Sequence, residues 1–291
     1  MNIAFRIELE RILVGVTRCV LPNHPFPIKD FVSLVPIDPE LAKSLAEKAI
    51  RDHPDHKELE NMGLSAMAFP ILLSRVLKLT FAPDIQVFVC DFDWKDELEK
   101  RLERMKKIEA AALKERDERK WTKLVRTEGK ILGYPECCIE KFVRGKLKSD
   151  PPETRLIARC IDEGLLDKIY SLLRNPTLPD EDLFIFFTSN FYPCDLKCKK
   201  ALRIGVTVRE SLGGKLKRAY ELKVILNSAN VLMSAYGTYR FVKLRGIRTE
   251  FGRLVEEFFE GKDIGFMDSV FELYSSNPLK FEEEFISMHL D

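Results

Sequence analysis

Two short stretches, GYPECCIEKF (residues 133–142) and NFYPCDLKCKKAL (residues 190–202), each set a Tyr-Pro pair just ahead of cysteine. The first holds the adjacent Cys137 and Cys138; the second holds Cys194 and Cys198, four apart. Proline suits the first position of a helix, where its missing N–H would have gone unpaired anyway. Both stretches therefore predict cysteine in the opening turn of a helix. Unpaired amide N–H groups and the positive end of the helix dipole favour a thiolate there. On a regular helix Cys194 and Cys198 share a face. Cys137 and Cys138, about 100° apart around an axis, converge only if the first lies in the less regular entry to its helix. Four thiolates from two helix starts make a four-sulfur site, suited to Zn²⁺ or to a [4Fe–4S] cluster. An adjacent pair is a poor zinc knuckle, which ordinarily spaces its cysteines by two to four residues, so the spacing favours the cluster and puts zinc second.

Other uses of cysteine compete with this. A cysteine is often a small buried hydrophobe, and Cys19, Cys90 and Cys160 fit that description: Cys90 lies in an expected strand, Cys160 on an amphipathic helix. Four cysteines in two matching contexts do not. Disulfides are the stronger competitor, because the chain holds a single glutamine, Gln86, among abundant Lys, Arg and Glu. That bias points to a hyperthermophile, whose cytosol can retain disulfides. A third reading is a thiol enzyme with one low-pKa cysteine, Cys137 or Cys194. No third cysteine follows Cys198 in a Cys-x₃-Cys-x₂-Cys loop, which excludes that radical chemistry. The histidines, His24, His53, His56 and His289, all lie far from the motifs in sequence, so a Cys-His catalytic pair has no local support.

Lesser candidates read as structure. Asp91 and Asp93 in CDFDW follow an expected strand, where α/β enzymes place carboxylates, but Asp93 fits a helix N-cap better. His53 and His56 in HPDH sit around a proline that marks a surface turn. Gly213-Gly214 terminates a helix, and no Gly-rich phosphate fingerprint occurs.

The elements that must position these residues are mostly helical. FRIELERILVGVTRCV is either a helix or a strand pair, and PNHPFP is a turn or loop. PELAKSLAEKAIRD reads as a helix with Leu41, Leu45 and Ile50 near one stripe. PILLSRVLKL reads as a buried helix and IQVFVC as a buried strand. DWKDELEKRLERMKKIEAAALKERDERK is a long helix whose narrow stripe, Leu98, Leu102 and Met105, places it on the surface or bridging two halves. Helices follow over PECCIEKFV, PETRLIARCIDEG and LLDKIYSLLR. EDLFIFFTS reads as a strand buried on both faces. A helix is expected from Pro193 to about Leu212, another over LKRAYELKVILNSANVLMSAYGTYRFV, and a helical, acidic tail from Phe251. The fold class is α+β, mainly α-helical, with a small sheet and an extended helical C-terminal portion. The expected division is an N-terminal α/β portion, residues 1–120, and a helical cysteine-motif portion, residues 121–291.

Charge bounds the partners. Acidic and basic residues nearly cancel, at a net +1, so no global field steers the chain to DNA or to a membrane surface. Residues 190–250 nonetheless carry thirteen basic side chains against four acidic, and residues 251–291 ten acidic against three basic. These parts either pack against each other or leave a basic face for RNA or an anionic ligand, though the aromatic interleaving, Tyr220, Tyr236, Tyr239 and Phe241, is sparse for RNA. The N-terminal segment is interrupted by Arg6, Glu8, Glu10 and Arg11 and is no secretory signal. No run reaches the length needed to span a bilayer, and a cytoplasmic location is expected.

At the cysteine motifs the sequence resembles an archaeal family, domain of unknown function 483, marked by Gly-Tyr-Pro-x-Cys-Cys followed by Pro-Cys-x₃-Cys. Gly133, Tyr134, Pro135, Cys137 and Cys138 match the first motif; Pro193, Cys194 and Cys198 match the second. The resemblance implies an archaeal source and implies that the four cysteines act as a unit. It brings no reaction with it. The expectation is a cytosolic metalloprotein whose four cysteines hold an iron–sulfur cluster, beside a surface that takes RNA or an anionic substrate. The alternative is a structural or interaction protein with disulfide-bonded cysteines, or a thiol-based redox enzyme.

Overall fold

The computed structural model describes residues 1–22, 39–71, 84–115, 117–147, 152–187, 191–246 and 249–290. Contacts divide the chain into two units, Met1–Ile139 and Glu140–Asp291. The structure is mainly helical with one small sheet, as the sequence indicates.

The first unit is built on three antiparallel strands in the order β1-β3-β2: β1 (Cys19–Val20), β2 (Leu64–Ile71) and β3 (Asp84–Asp91). Alternation along β3 sends Val87 and Val89 to one face and Phe88 and Cys90 to the other. On the first face Val87 and Val89 meet Phe5, Leu9 and Ile12 of α1 (Ile3–Leu13) and Ala46 and Ile50 of α2 (Pro39–Asp52). Leu59 of α3 (His56–Asn61) completes that cluster. On the second face Phe88 and Cys90 meet Leu98, Leu102 and Met105 of α4 (Lys95–Glu115) and Leu124 and Ile131 of α5 (Glu118–Ile131). A strand apolar on both sides is thus a central strand with helices over each face. Two caps set the helix starts: Asn2 accepts from the Ala4 N–H, and Asp117 from the Arg119 N–H, each at 2.8 Å.

Several expectations change here. FRIELERILVGVTRCV is helix α1 followed by strand β1. In α2 the buried stripe is Ala42, Ala46 and Ile50, whereas Leu41 and Leu45 are exposed; the small residues allow close approach to the sheet. The stripe of α4 is fully buried on the sheet. Asp93 does not cap α4: it lies in a 3-10 turn, Phe92–Trp94, that leads into it. Of PILLSRVLKL, Pro70 and Ile71 belong to β2, and the rest lies outside the described residues, as does most of PNHPFP.

The second unit takes most of α6 (Glu136–Leu147), which runs through the division, then α7 (Pro152–Asp162), α8 (Leu165–Arg174) and α9 (Lys199–Ser211). Helix α10 (Gly214–Arg245) follows, with α11 (Glu250–Phe259), α12 (Ile264–Ser276) and α13 (Pro278–Met288). Between Ala219 and Tyr236 helix α10 is buried nearly all round, and it is packed by α7, α8, α9, α11, α12 and α13, as a helix stretch without a narrow apolar stripe must be. Over its described residues EDLFIFFTS is not a strand. Glu181–Phe187 forms 3-10 turns with Leu183, Phe184, Ile185, Phe186 and Phe187 all buried against α9 and α10. A short apolar run fits a buried strand and a buried turn equally well. Gly205 of α9 makes this docking possible: a Cβ there would sit 2.1 Å from the Phe184 carbonyl oxygen. The Tyr220 hydroxyl donates to the Gly205 carbonyl at 2.6 Å, and its ring stacks on Phe184. No described helix is long and apolar enough to cross a membrane.

Candidate metal centre

The cysteine doublet is aimed by the end of α5. Gly133 adopts φ +70°, the Gly133 N–H donates to the Lys130 carbonyl at 3.3 Å, and the Tyr134 N–H donates to the Gly129 carbonyl at 2.8 Å. This pair of bonds is a Schellman cap, which calls for a left-handed residue just past the helix. A Cβ on Gly133 would also lie 2.5 Å from Thr17 Oγ1, so glycine is required twice over. Tyr134 packs beneath the cap against the second apolar cluster. Arg11, itself buried, donates to the Leu132 carbonyl at 3.4 Å and lies 6.0 Å from the Tyr134 ring centroid. The chain then reverses at Pro135, whose carbonyl accepts from the N–H groups of Cys138 and Ile139 at 2.8 and 3.0 Å. Pro135 therefore stands just before the first turn of α6 rather than within it. Cys137 and Cys138 occupy that turn, as expected, with Cys137 exposed and Cys138 buried.

The second pair is placed differently from the expected helix. Helix α9 begins at Lys199, not Pro193. Residues 195–198 form a turn in which Asp195 Oδ1 accepts from the Lys197 N–H at 3.0 Å and the Asp195 carbonyl accepts from the Cys198 N–H at 3.1 Å. An Asp that bonds the backbone two residues ahead competes with helix formation. Cys198 is the N-cap of α9, and its carbonyl accepts from the Leu202 N–H at 3.0 Å. Cys194 and Cys198 thus approach through a turn instead of sharing a helical face.

All four sulfurs converge. The Sγ atoms of Cys137, Cys138, Cys194 and Cys198 lie within 4.8 Å of one another, the adjacent pair at 4.0 Å, and none forms a disulfide. Four thiols at this spacing could hold a metal ion. Cys138 and Cys198 are buried, Cys194 half-buried, and Cys137 forms the exposed edge. Cys19, Cys90 and Cys160 are fully buried away from solvent.

Beside Cys194 is a feature the sequence reading missed. A cavity of about 130 Å³ is walled by Phe191, Tyr192 and Pro193, the residues just before Cys194, and by Asn227, Asn230 and Ser234 of α10. The three polar residues stand at i, i+3 and i+7, on one face of the buried middle of the helix, and that spacing was the available signal. Asn227 also serves the fold, donating to the Phe187 carbonyl at 3.1 Å. Tyr192 is hydrogen-bonded to Glu153 of α7; burial, then the carboxylate, hold its hydroxyl well above the usual tyrosine range.

The remaining candidates stay structural. Asp91 pairs with Arg18 at 2.8 Å. His53 Nδ1 accepts from the Asp55 N–H at 3.2 Å, as a turn residue does, and His56 faces Glu60 at 3.5 Å. His24 lies outside the described residues. The basic segment and the acidic tail pack together: fully buried Lys223 of α10 pairs with Glu282 of α13, and Arg240 reaches Asp268 of α12 at 3.7 Å. Asp268 also accepts from the Tyr236 hydroxyl. These pairs supply no support for an RNA or anionic partner.

Residues 83–227 match the family model described as a protein of unknown function, DUF483. Over this segment, just under half of the chain, the sequence is similar to that family. The family segment runs from β3 into the middle of α10 and contains all four motif cysteines. An uncharacterised protein of Methanocaldococcus jannaschii is 32% identical over 99 residues, which make up 33% of this chain and 46% of the relative. The match thus spans just under half of that relative's length. No solved structure matches the chain.

Proposed function

We propose that this is a metalloprotein whose Cys137, Cys138, Cys194 and Cys198 hold a single tetrahedral metal ion, with Zn²⁺ the best-fitting occupant. The carrying observation is the sulfur spacing. A tetrahedral zinc with Zn–S near 2.3 Å sets its sulfurs about 3.8 Å apart; here they lie within 4.8 Å, a small contraction away. A cubane cluster binds each thiolate to a different iron, so its own breadth holds the sulfurs further apart. The spacing therefore reverses the order expected from the adjacent doublet. The iron–sulfur reading keeps one supporting observation: a vicinal cysteine pair with an exposed edge is unlike a zinc knuckle.

Four protein thiolates leave zinc no open position, which is the arrangement of a structural centre rather than a Lewis-acid one. The role that follows is to fix the first turn of α6 to the turn before α9, and so to fix Phe191, Tyr192 and Pro193 as one wall of the cavity beside it. That cavity has room for about four waters' share of volume, a size for a small polar molecule rather than a polymer.

The test is metal and acid-labile sulfide analysis of anaerobically purified full-length protein, with and without Cys138→Ser. Zinc without sulfide, lost in the variant, supports the reading. Iron with sulfide would transfer the site to the cluster. Absence of every metal, with four titratable motif thiols, would remove the metal centre altogether.

A further inference from the structure

Cys19 and Cys90, each an ordinary core residue when read singly from the sequence, stand directly opposite one another in the sheet: the β1–β3 register pairs Cys19 with Cys90 and Val20 with Val89. The phase of the ladder is fixed next door, where the Asp91 N–H donates to the Arg18 carbonyl at 3.1 Å. Arg18 and Asp91 are thus the hydrogen-bonded pair, and Cys19 and Cys90 fall in the adjacent non-hydrogen-bonded position. Such pairs bring their Cα atoms to about 4.5 Å, with the side chains closer than in the other kind. That separation lies inside the range disulfides span, about 4.4–6.8 Å. Both side chains point into the same apolar cluster, with Phe69, Phe88 and Leu98, and neither is exposed at all.

We infer that Cys19 and Cys90 are a cross-strand disulfide site that locks β1 onto β3, separate from the metal centre. Strand β1 has only two residues, so few backbone bonds hold it, and a covalent link there closes a loop of roughly seventy residues, which the chain-entropy account makes strongly stabilising. The composition points the same way, since a chain poor in thermolabile amides fits the hyperthermophile setting in which intracellular disulfides persist.

The structure holds both residues as thiols, with the Cys19 S–H directed at the Val20 carbonyl, Sγ to O 3.7 Å. Bridging turns Cys19 away from that carbonyl. Burial pushes the Cys90 thiol up to about 12 and raises Cys19 as well, so the bond forms as the chain folds or during local opening, when a thiolate is accessible. The oxidant is a low-molecular-weight disulfide. One cysteine thiolate attacks it and releases one small thiol. The second cysteine then attacks the mixed disulfide and releases the other. Two S–H bonds are lost, one S–S bond is gained, and the two electrons and two protons end on the two small thiols.

The experiment folds the full-length, metal-loaded chain in a buffer containing oxidised glutathione, unfolds it without reductant, alkylates it, and maps its peptides by mass spectrometry. The expected result is a crosslinked peptide joining residues 19 and 90, both unalkylated, with Cys160 alkylated as the internal control. Reduction should then lower the melting temperature by about 5–10 °C, a change absent from Cys19→Ala/Cys90→Ala. Quantitative alkylation of both cysteines in the unfolded chain would overturn the inference, as would a crosslink made by either one only to a motif cysteine. Neither result depends on which metal the centre binds.

Discussion

Gly133 decides where the cysteine doublet points. Its left-handed φ, its place just past the C-cap of α5 and the 2.5 Å approach of Thr17 Oγ1 to a would-be Cβ all act on one backbone step. Gly133→Ala is expected to lose at least the roughly 1–2 kcal/mol that a left-handed alanine costs, with a further loss from displacing Thr17. Because Tyr134 and Pro135 follow directly, metal affinity should fall with it, by about tenfold or more, the scale of losing a supporting residue around a metal. Competition with a chromophoric chelator measures this; an unchanged affinity would detach the glycine from the site. The residue types of the centre were legible in the sequence, since two Tyr-Pro-cysteine contexts stand out by repetition. The reason for the glycine was not, because Thr17 is distant in the chain and only the fold brings it near.

At the scale of elements, α10 organises the second unit and carries a buried cation. Lys223 is fully enclosed and paired with Glu282 of α13. Lys223→Met should destabilise by about 3 kcal/mol, because it removes the buried cation that pairs with a largely buried carboxylate. The double change Lys223→Met/Glu282→Leu should recover most of that loss in denaturant unfolding. A double variant as unstable as the single one would show that the lysine acts through packing instead of charge. The sequence announced α2 and α4 through their helical periodicity and β3 through its β-branched and aromatic run, and the opposed charges of residues 190–250 and 251–291 offered packing of those segments as one of two readings. Two elements were misread for physical reasons. Leu183 to Phe187 form a buried 3-10 segment, because burial on all sides erases the alternation that separates strand from turn. The turn before α9 looked helical because Cys194 and Cys198 have helical spacing, yet Asp195 bonds its own backbone and holds the helix back to Lys199.

Across the whole molecule, stability should respond to alkaline pH through buried thiols. Burial pushes Cys160 up to about 12 from an ordinary value of 9.0. The unfolded chain releases this proton from pH 9 upward while the folded chain keeps it, so the contribution is intact below pH 9 and declines as pH rises toward 12. The slope is about 1.4 kcal/mol per pH unit for one thiol. Cys160→Ala should flatten the fall in unfolding free energy over that window, and an identical slope would contradict the assignment. The central claim is that the four motif sulfurs form a single metal centre. Metal and acid-labile sulfide content of the anaerobically purified full chain tests it most directly. One zinc ion per chain, with no sulfide and with loss on Cys138→Ser, is the predicted result; stoichiometric iron and sulfide, or no metal of any kind, would contradict it.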